Sequence, residues 1–181
     1  MRITVNGSSG SGKSTLARRL SAALDLPHVE LDAVNWQRGW VDLNSTDRPE
    51  FQRRVAAALA GDRWVTDGNY SSVQGDIRSR ATHAIWLDYP RPLIMSRVIR
   101  RSFARAISGD ELWPGTGNVE TFARWLDKEH PIRWSWDTYH GQRARYEGVF
   151  ADPANAHLSV HRLRHPREAD ALVAELARLA G

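Results

Sequence analysis

The chain has 181 residues, 41% of them hydrophobic, which is enough to fill the core of one ordinary domain. It has no cysteine and no run of about 18 apolar residues, which excludes disulfides, thiolate metal sites and a spanning helix. The net charge of +4 favours anionic partners without choosing among nucleotides, phosphorylated metabolites and nucleic acids. The first residues carry no charged-then-apolar leader, so we expect a cytoplasmic protein without membrane association.

Short apolar segments alternate with helical patterns along the chain. The pattern predicts five strands, at residues 3–6, 28–31, 64–66, 84–87 and 158–163. It predicts helices at residues 13–24, 49–61, 92–106, 119–130, 131–149 and 166–179, and loops at residues 35–47 and 108–118. Strands that alternate with helices imply an α/β fold, with a parallel sheet covered on both faces. We expect a single domain over residues 1–181.

The loop after the first strand carries the most specific motif. Residues 7–14, GSSGSGKS, match G-x-x-x-x-G-K-[ST] in full, between a strand and a helix as a phosphate-binding loop requires. Lys13 would reach the outer phosphates of a nucleoside triphosphate, and the Ser14 hydroxyl would ligate Mg²⁺. The expected nucleotide-binding residues are Gly7, Ser8, Ser9, Gly10, Ser11, Gly12, Lys13, Ser14 and Thr15.

Two aspartates follow predicted strands, at the sheet edge where open α/β folds bind ligands. Asp67 ends the third strand, where a carboxylate holds the Mg²⁺ shell directly or through water. Asp32 follows the second strand, where a carboxylate can orient an acceptor hydroxyl and take its proton. The alternatives are ordinary turn chemistry for Asp67 and a turn or helix-capping role for Asp32.

Together with the loop, four further segments give the chain a family resemblance. These are LDAVNW at residues 31–36, GW at 39–40, WVTDGNY at 64–70 and LDYP at 87–90. The sequence resembles the adenylate-kinase-like P-loop proteins of the DNA topology modulation protein FlaR-related family. That resemblance implies a three-layer P-loop NTPase fold with a five-stranded parallel sheet of nucleoside-monophosphate-kinase type. It also implies an acceptor-binding segment at about residues 32–60 and a helical lid insertion at about 102–145.

The resemblance also suggests roles for arginines and aromatic residues. Arg97 and Arg101, which share a helix face, resemble lid-flanking arginines that would clamp the transferring phosphoryl group, with Arg143 and Arg145 as counterparts on the returning helix. A solvated basic face is the alternative for each of these arginines. Trp36 and Trp40 fall in the acceptor segment, where they could stack on a planar or sugar-like acceptor.

True adenylate kinases differ from this chain at the acceptor site. Their acceptor segment carries a Thr-Gly and an arginine for the AMP phosphate, and here Asp32 and tryptophans take that position. Asn69 and Tyr70 occupy the segment that would otherwise supply a second arginine, and Arg78 or Arg80 could replace its charge. These departures favour an acceptor other than AMP.

The sequence therefore predicts a kinase that uses ATP or GTP with Mg²⁺. It would transfer the γ-phosphoryl group to a hydroxyl or phosphate of a small acceptor, either a metabolite, a nucleotide or an antibiotic-like compound. An adenylate-type nucleoside monophosphate kinase is one alternative, and a nucleotide-gated DNA-binding or regulatory protein is another. Nucleic acid is not the favoured partner, because the aromatic residues lie in no recognised nucleic-acid-binding module. The protein would be a monomer or a homodimer.

Overall fold

The computed structural model of the protein describes residues 1–127 and 130–180. In chain order its strands are β1 (Arg2–Gly7), β2 (His28–Glu30), β3 (Trp36–Gln37), β4 (Val41–Asp42), β5 (Trp64–Asp67), β6 (His83–Leu87) and β7 (Ser159–Leu163). Five of them form one sheet in the order β2-β5-β1-β6-β7, and every pairing in it is parallel. The expected α/β fold with a five-stranded parallel sheet is confirmed.

Helices cover both faces of this sheet. They are α1 (Lys13–Leu24), α2 (Leu31–Asn35), α3 (Leu43–Thr46), α4 (Arg48–Ala58), α5 (Ser71–Arg80), α6 (Arg91–Ser108), α7 (Pro131–Ala151) and α8 (Pro166–Ala180). Short 3₁₀ turns lie at Arg38–Trp40, Phe122–Leu126 and Pro153–Asn155. Within the described ranges, none of the helices has the length and apolar character needed to cross a membrane.

The core divides into two clusters because side chains alternate between the faces of each strand. Ile3, Val65 and Ile85 pack on one face with leucines of α1 and α8. Trp64 and Ala84 face the opposite side, where they meet apolar residues of α4 and α5. The central strand β1 is buried from Ile3 to Gly7, so the loop that follows it starts from a rigid base.

The strand register brings polar residues to one edge of the sheet. Val5 of β1 pairs with Asp67 of β5, and Glu30 of β2 pairs with the same Asp67. The carboxyl ends of these parallel strands therefore meet beside the loop after Gly7, where ligands bind in open α/β folds.

The segment after β2 is more ordered than predicted. The strand ends at Glu30 and helix α2 begins at Leu31, so the prediction of a strand through residue 31 and a loop over residues 35–47 was wrong. β3 and β4 pair antiparallel, and Asp42 caps α3 by accepting from the amide of Ser45. Buried Asn35 accepts from the Asn44 amide. These side-chain contacts with backbone groups order a segment too polar to show a regular pattern.

Two other helix predictions also need correction. Residues 119–130 were expected to form a helix, but the structure has the 3₁₀ turn Phe122–Leu126 there, and residues 128 and 129 lie outside the described ranges. Phe122 and Trp125 pack against Phe103 of α6, and these aromatic contacts hold the segment without a helical ladder. Helix α5 was not predicted.

We predict that replacing Gly68 with alanine destabilises the fold. Gly68 has φ +134°, and an added Cβ would lie 2.6 Å from the Cβ of buried Leu31. Backbone strain of about 1–3 kcal/mol adds to this overlap, so the free energy of unfolding should fall by at least about 2 kcal/mol. Urea denaturation measures this change.

Gly75→Ala is the matched control. Gly75 lies inside α5, and no heavy atom stands within 4 Å of its added Cβ. Alanine should stabilise this exposed helical position by about 0.5–1 kcal/mol. A Gly68→Ala variant as stable as the parent would contradict the close packing of Gly68 on Leu31.

Candidate active site

The loop between β1 and α1 is shaped to receive an anion. Gly7, Gly10 and Gly12 all have positive φ, at 147°, 82° and 98°. Gly12 is the N-cap residue of α1, and no described side chain caps that end of the helix. The first-turn N–H groups of α1 are therefore available to bind a ligand, and the helix dipole favours negative charge there.

The carbonyl groups of the same loop accept hydrogen bonds from protein side chains. Four of them accept hydrogen bonds from side chains of other segments or of α1. Gly7 O accepts from Asn69 Nδ2 (2.8 Å), Ser8 O from Lys13 Nζ (3.1 Å), Ser9 O from Ser135 Oγ (3.0 Å) and Ser11 O from an Arg97 N–H (2.9 Å). With its carbonyls held in this way, and with the Ser11 amide donating to Ser8 O at 3.1 Å, the loop keeps its shape.

Ser14, Asp67 and His28 form a chain of hydrogen bonds below the loop. Ser14 Oγ donates to Asp67 Oδ2 at 2.6 Å, and His28 Nε2 lies 2.7 Å from Asp67 Oδ1. Both Asp67 oxygens thus have a fixed partner, which sets the rotamer of this buried carboxylate. The structure brings together Ser14 and Asp67, the two residues predicted to hold a metal.

The charge balance at this edge is unusual. Burial lowers the pKa of Lys13 below its usual range, although Asp67 and Asp32 favour its charged form. Burial raises the pKa of Glu30, and the nearby carboxylates Asp67 and Asp32 add to the rise. Lys13 is thus a desolvated cation among carboxylates, and a polyphosphate anion beside it would favour its charged form.

Asp32 lies in the first turn of α2 and is held by Tyr70. The Tyr70 hydroxyl donates to Asp32 Oδ1 at 2.7 Å, while the Tyr70 ring packs against Phe51 of α4. Burial raises the pKa of Tyr70, and the Asp32 charge raises it further, so the phenol remains a donor. One carboxylate oxygen of Asp32 is therefore fixed, and this orients the other.

Arg97 and Arg101 of α6 both reach the phosphate loop. Arg97 donates to Ser11 O, and Arg101 lies 3.3 Å from Ser9 Oγ. Burial lowers the pKa of Arg101 to about 10, with Arg105 as a further cause. This guanidinium is still charged near neutral pH, and it lies desolvated beside the loop, where its interaction with an anion is strong.

Three tryptophans cluster beyond Asp32. Trp36 and Trp113 stack with ring centroids 6.3 Å apart, and Trp40 meets both edge-on at 5.7 and 6.0 Å. Trp113 comes from the α6–α7 segment (residues 109–127), whereas Trp36 and Trp40 belong to the predicted acceptor segment. The cluster therefore joins two parts of the chain that are far apart in sequence.

Asn118 reinforces this junction. Its Oδ1 accepts from the Trp40 amide at 2.8 Å, and its Nδ2 donates to Gln37 O at 2.9 Å. The side chain is buried, and Trp40 has φ +62°, a conformation that non-glycine residues seldom adopt. Asn118 thus connects the α6–α7 segment to the acceptor segment and holds Trp40 in a strained backbone conformation.

Most of these groups line one cavity of about 620 Å³, whereas His28, Asp67, Tyr70 and Asn118 are not part of its lining. Its lining includes the loop from Ser9 to Thr15, then Arg18, Arg19, Glu30, Asp32, Trp36, Trp40, Tyr89, Arg97, Arg101, Arg105, Leu112, Trp113, Glu120, His130, Pro166, Ala169 and Asp170. The volume is in the range of small-molecule sites, and the wall combines apolar rings with a few polar groups.

Seven predicted site residues are not part of this lining: Gly7, Ser8, Asp67, Asn69, Tyr70, Arg78 and Arg143. Arg143 pairs with Asp88 through its Nε at 3.1 Å, and Asp88 also binds Arg162. Arg78 lines a separate small depression beside α7 and His157. Asn69 is used structurally, since it donates to Gly7 O and accepts from the Tyr146 hydroxyl. The structure therefore does not bring Arg143 or Arg78 to the phosphate loop.

Several residues in or beside the cavity were missed from the sequence: Glu30, Glu120 and His130 line it, and His28 contacts Asp67. His28 and Glu30 are two apart on β2, and this spacing beside Asp32 was a readable signal that both point to one side of a strand. Glu120 and His130 are both buried, with His130 Nε2 3.1 Å from Glu120 Oε1. Their pairing was not predicted, because a helix over residues 119–130 would place the two residues roughly 15 Å apart along its axis.

The residues at the sheet edge fit a nucleoside triphosphate with Mg²⁺. An uncapped helix N-terminus and Lys13 suit a polyphosphate. Ser14 Oγ and Asp67 Oδ2 lie next to each other, and both are oxygen atoms, the type of ligand that Mg²⁺ prefers.

We predict that Asn118→Ala loosens the junction. Without Asn118 Oδ1 the Trp40 amide loses its hydrogen-bond acceptor. Its hydrogen exchange should then be roughly tenfold faster, the change that corresponds to the net free energy of one hydrogen bond. Asn155→Ala is the control, because Asn155 donates to Val149 O far from the cavity. Unchanged exchange at Trp40 in Asn118→Ala would show that Asn118 does not hold the junction.

No family model and no curated protein match the chain. Its fold is similar to that of shikimate kinase from Acinetobacter baumannii in complex with shikimate, at 17% identity and TM-score 0.57 over 98% of this chain and 91% of that one. A sugar kinase from Janibacter sp. is 22% identical with a TM-score of 0.52, over 98% of this chain and 92% of that one. A gluconokinase from Sinorhizobium meliloti is 18% identical with a TM-score of 0.50, over 98% of this chain and 94% of that one. At these identities the likeness establishes a P-loop kinase-type fold, and the FlaR-related resemblance stays a prediction.

Proposed function

We propose that this protein is a small-molecule kinase that transfers the γ-phosphoryl group of ATP or GTP to an acceptor hydroxyl. One observation carries the proposal: a phosphate-binding loop and a partly buried carboxylate, Asp32, which Tyr70 orients, line the same cavity. The three similar structures, a shikimate kinase, a sugar kinase and a gluconokinase, support it. A loop that only bound nucleotide for regulation would not need Asp32 and the aromatic cluster beside it.

The sheet order supports an assignment of the two ends of the cavity. β1 and its loop are central, β2 lies at one edge and β7 at the other. Asp32 follows β2, so the acceptor would bind on that side. Pro166, Ala169 and Asp170 of α8 follow β7, and Arg19 pairs with Asp170 there. This side would receive the nucleoside of the triphosphate.

The loop and its neighbours would bind the triphosphate. The first-turn amides of α1 and the Lys13 ammonium would contact the outer phosphates, while Ser14 and Asp67 would hold Mg²⁺. Bound Mg²⁺ would neutralise phosphate charge in the reaction. Arg97 and Arg101 lie within reach of the loop, and either could stabilise charge on the transferring group.

Asp32 would act on the acceptor. Its Oδ1 is bound by Tyr70, which leaves Oδ2 to accept the acceptor hydroxyl proton. As the acceptor oxygen forms its bond to the γ-phosphorus, the bond between that phosphorus and the β–γ bridging oxygen breaks. The proton passes to Asp32, and the nucleoside diphosphate leaves.

The α6–α7 segment would serve as the lid. Trp113 and Asn118 close it over the acceptor segment, and Glu120 and His130 line the enclosed cavity. Exclusion of water would protect the triphosphate from hydrolysis until an acceptor occupies the site.

We predict that Lys13→Ala abolishes nucleotide-dependent turnover while the fold persists. The variant loses the cation that would contact the outer phosphates, and removal of such a group costs about 10²–10³ in rate. Calorimetry with Mg²⁺ and ATP or GTP, together with release of labelled γ-phosphate, measures both binding and turnover.

Arg53→Ala is the control for charge removal, because exposed Arg53 pairs with Glu50 and does not line the cavity. This control should bind and turn over nucleotide like the parent. Turnover by Lys13→Ala at the parent rate would refute the assignment of the loop.

We also predict that Asp32→Asn lowers kcat by about 10²–10⁴ while nucleotide affinity stays within about threefold. Asparagine keeps the size of the side chain and an oxygen that accepts from the Tyr70 hydroxyl, but it cannot take the proton of the acceptor hydroxyl. Asp42→Asn is the matched control, since Asp42 caps α3 outside the cavity. Equal rates for Asp32→Asn and the parent would return Asp32 to a structural role.

A further inference from the structure

The charged side chains on the β2 side of the cavity, where the acceptor would bind, restrict the class of acceptor. This inference rests on the proposed function. Among the residues that the structure describes, six lysine and arginine side chains line the cavity, and each has a protein partner. Lys13, Arg97 and Arg101 contact the phosphate loop, at Ser8 O, Ser11 O and Ser9 Oγ. These three lie where the transferred phosphoryl group would be.

The other three cations are paired with carboxylates. Arg19 binds Asp170 at 2.8 Å on the nucleoside side, Arg18 lies 3.9 Å from Glu30, and Arg105 lies 3.9 Å from Glu120. Among the described residues, no lysine or arginine lines the acceptor side without one of these contacts. A phosphate or carboxylate on the acceptor would have to displace an existing carboxylate to gain a cation.

Carboxylates dominate the side chains that remain there. Glu30 and Asp32 lie beside the expected position of the acceptor hydroxyl, and buried Glu120 lies on the opposite segment. An anionic acceptor would be enclosed with these groups away from water. Burial of an unpaired anion near like charges is costly, whereas hydroxyl groups can donate hydrogen bonds to the carboxylates.

The aromatic cluster supplies the complementary surface. The rings of Trp36, Trp40 and Trp113 lie 5.7–6.3 Å apart, so they pack on one another and leave no slot for a flat base between them. They form a wall instead. The negative face of an indole attracts C–H groups, which a saturated ring alcohol exposes on one face. It also attracts ammonium groups, which an amino derivative of such a ring carries.

We propose that the acceptor is a saturated ring polyol without an anionic group: a sugar, a cyclitol or an amino derivative of either. Its hydroxyl groups would bind Asp32 and the neighbouring carboxylates, and its C–H face would lie on the three tryptophans. Nucleoside monophosphates and acidic sugars are excluded by the same charges.

Matched pairs of acceptors test this proposal. Glucose against glucuronate, myo-inositol against its monophosphate, and glucosamine against glucosamine 6-phosphate differ mainly in one anionic group, and AMP is added. Transfer of labelled γ-phosphate from ATP with Mg²⁺ is measured for each. We expect kcat/KM at least tenfold higher for the member without the anion, in every pair that is phosphorylated.

Phosphorylation of AMP or of an acidic member at an equal or higher kcat/KM would overturn the inference and leave the kinase proposal standing. If none of the ring polyols accepts the labelled phosphate, the inference about the acceptor is overturned as well. The kinase proposal is judged separately, by nucleotide binding in calorimetry and its loss in Lys13→Ala.

A pair of tryptophan variants tests the wall. Trp113→Ala should raise the KM of the best polyol at least tenfold and leave the KM of ATP within about twofold. Trp136→Ala is the control, because Trp136 is 52% exposed, stacks under Arg91 and does not line the cavity. An unchanged polyol KM in Trp113→Ala would refute the contact with the indole wall.

Discussion

The carbonyl groups of the phosphate loop are the constraint on which the site depends. A chain segment with several positive φ angles has many accessible shapes, and ordering it costs conformational entropy. Four carbonyls of this loop are bound by Asn69, Lys13, Ser135 and Arg97, which come from four separate elements or turns. The loop is thus held from outside, so its amides need not rearrange when an anion arrives, and this preorganisation is what makes such a site effective.

Helix α6 couples this loop to the rest of the cavity. A Cβ on Gly10 would lie 2.8 Å from the Val98 Cβ and 3.0 Å from Ile94 O, so the loop packs directly on the helix backbone. The same helix carries Arg97 and Arg101 into the cavity. Because packing fixes the distance between helix and loop, both guanidinium groups are positioned by the core and not by flexible side chains alone.

The sequence specified the parts of the site that depend on local order. The loop motif, the five strands and the aspartates at strand ends follow from short-range patterns, and Ser14, Asp67 and Asp32 come together as the parallel topology requires. Contacts across the α6–α7 segment were beyond such reasoning, because Trp113, Asn118 and Glu120 lie in irregular backbone. Arg143 shows the opposite limit: the family resemblance implied a place for it among the lid arginines, but its side chain pairs with Asp88, 55 positions earlier in the chain.

In the proposed lid mechanism, the junction around Asn118 has to be strong enough to close the cavity and weak enough to open. Its two hydrogen bonds contribute roughly 1–3 kcal/mol net, and the edge-on and stacked tryptophan pairs add about 0.5–1.5 kcal/mol each beyond their burial. The strain at Trp40, with φ +62°, opposes these terms by about 1–3 kcal/mol. A closed state favoured by a few kcal/mol leaves an open state at about 0.1–10%, which suffices for ligand entry. An acceptor that packs on the same tryptophans would bind only the closed form and so shift this balance further toward closure.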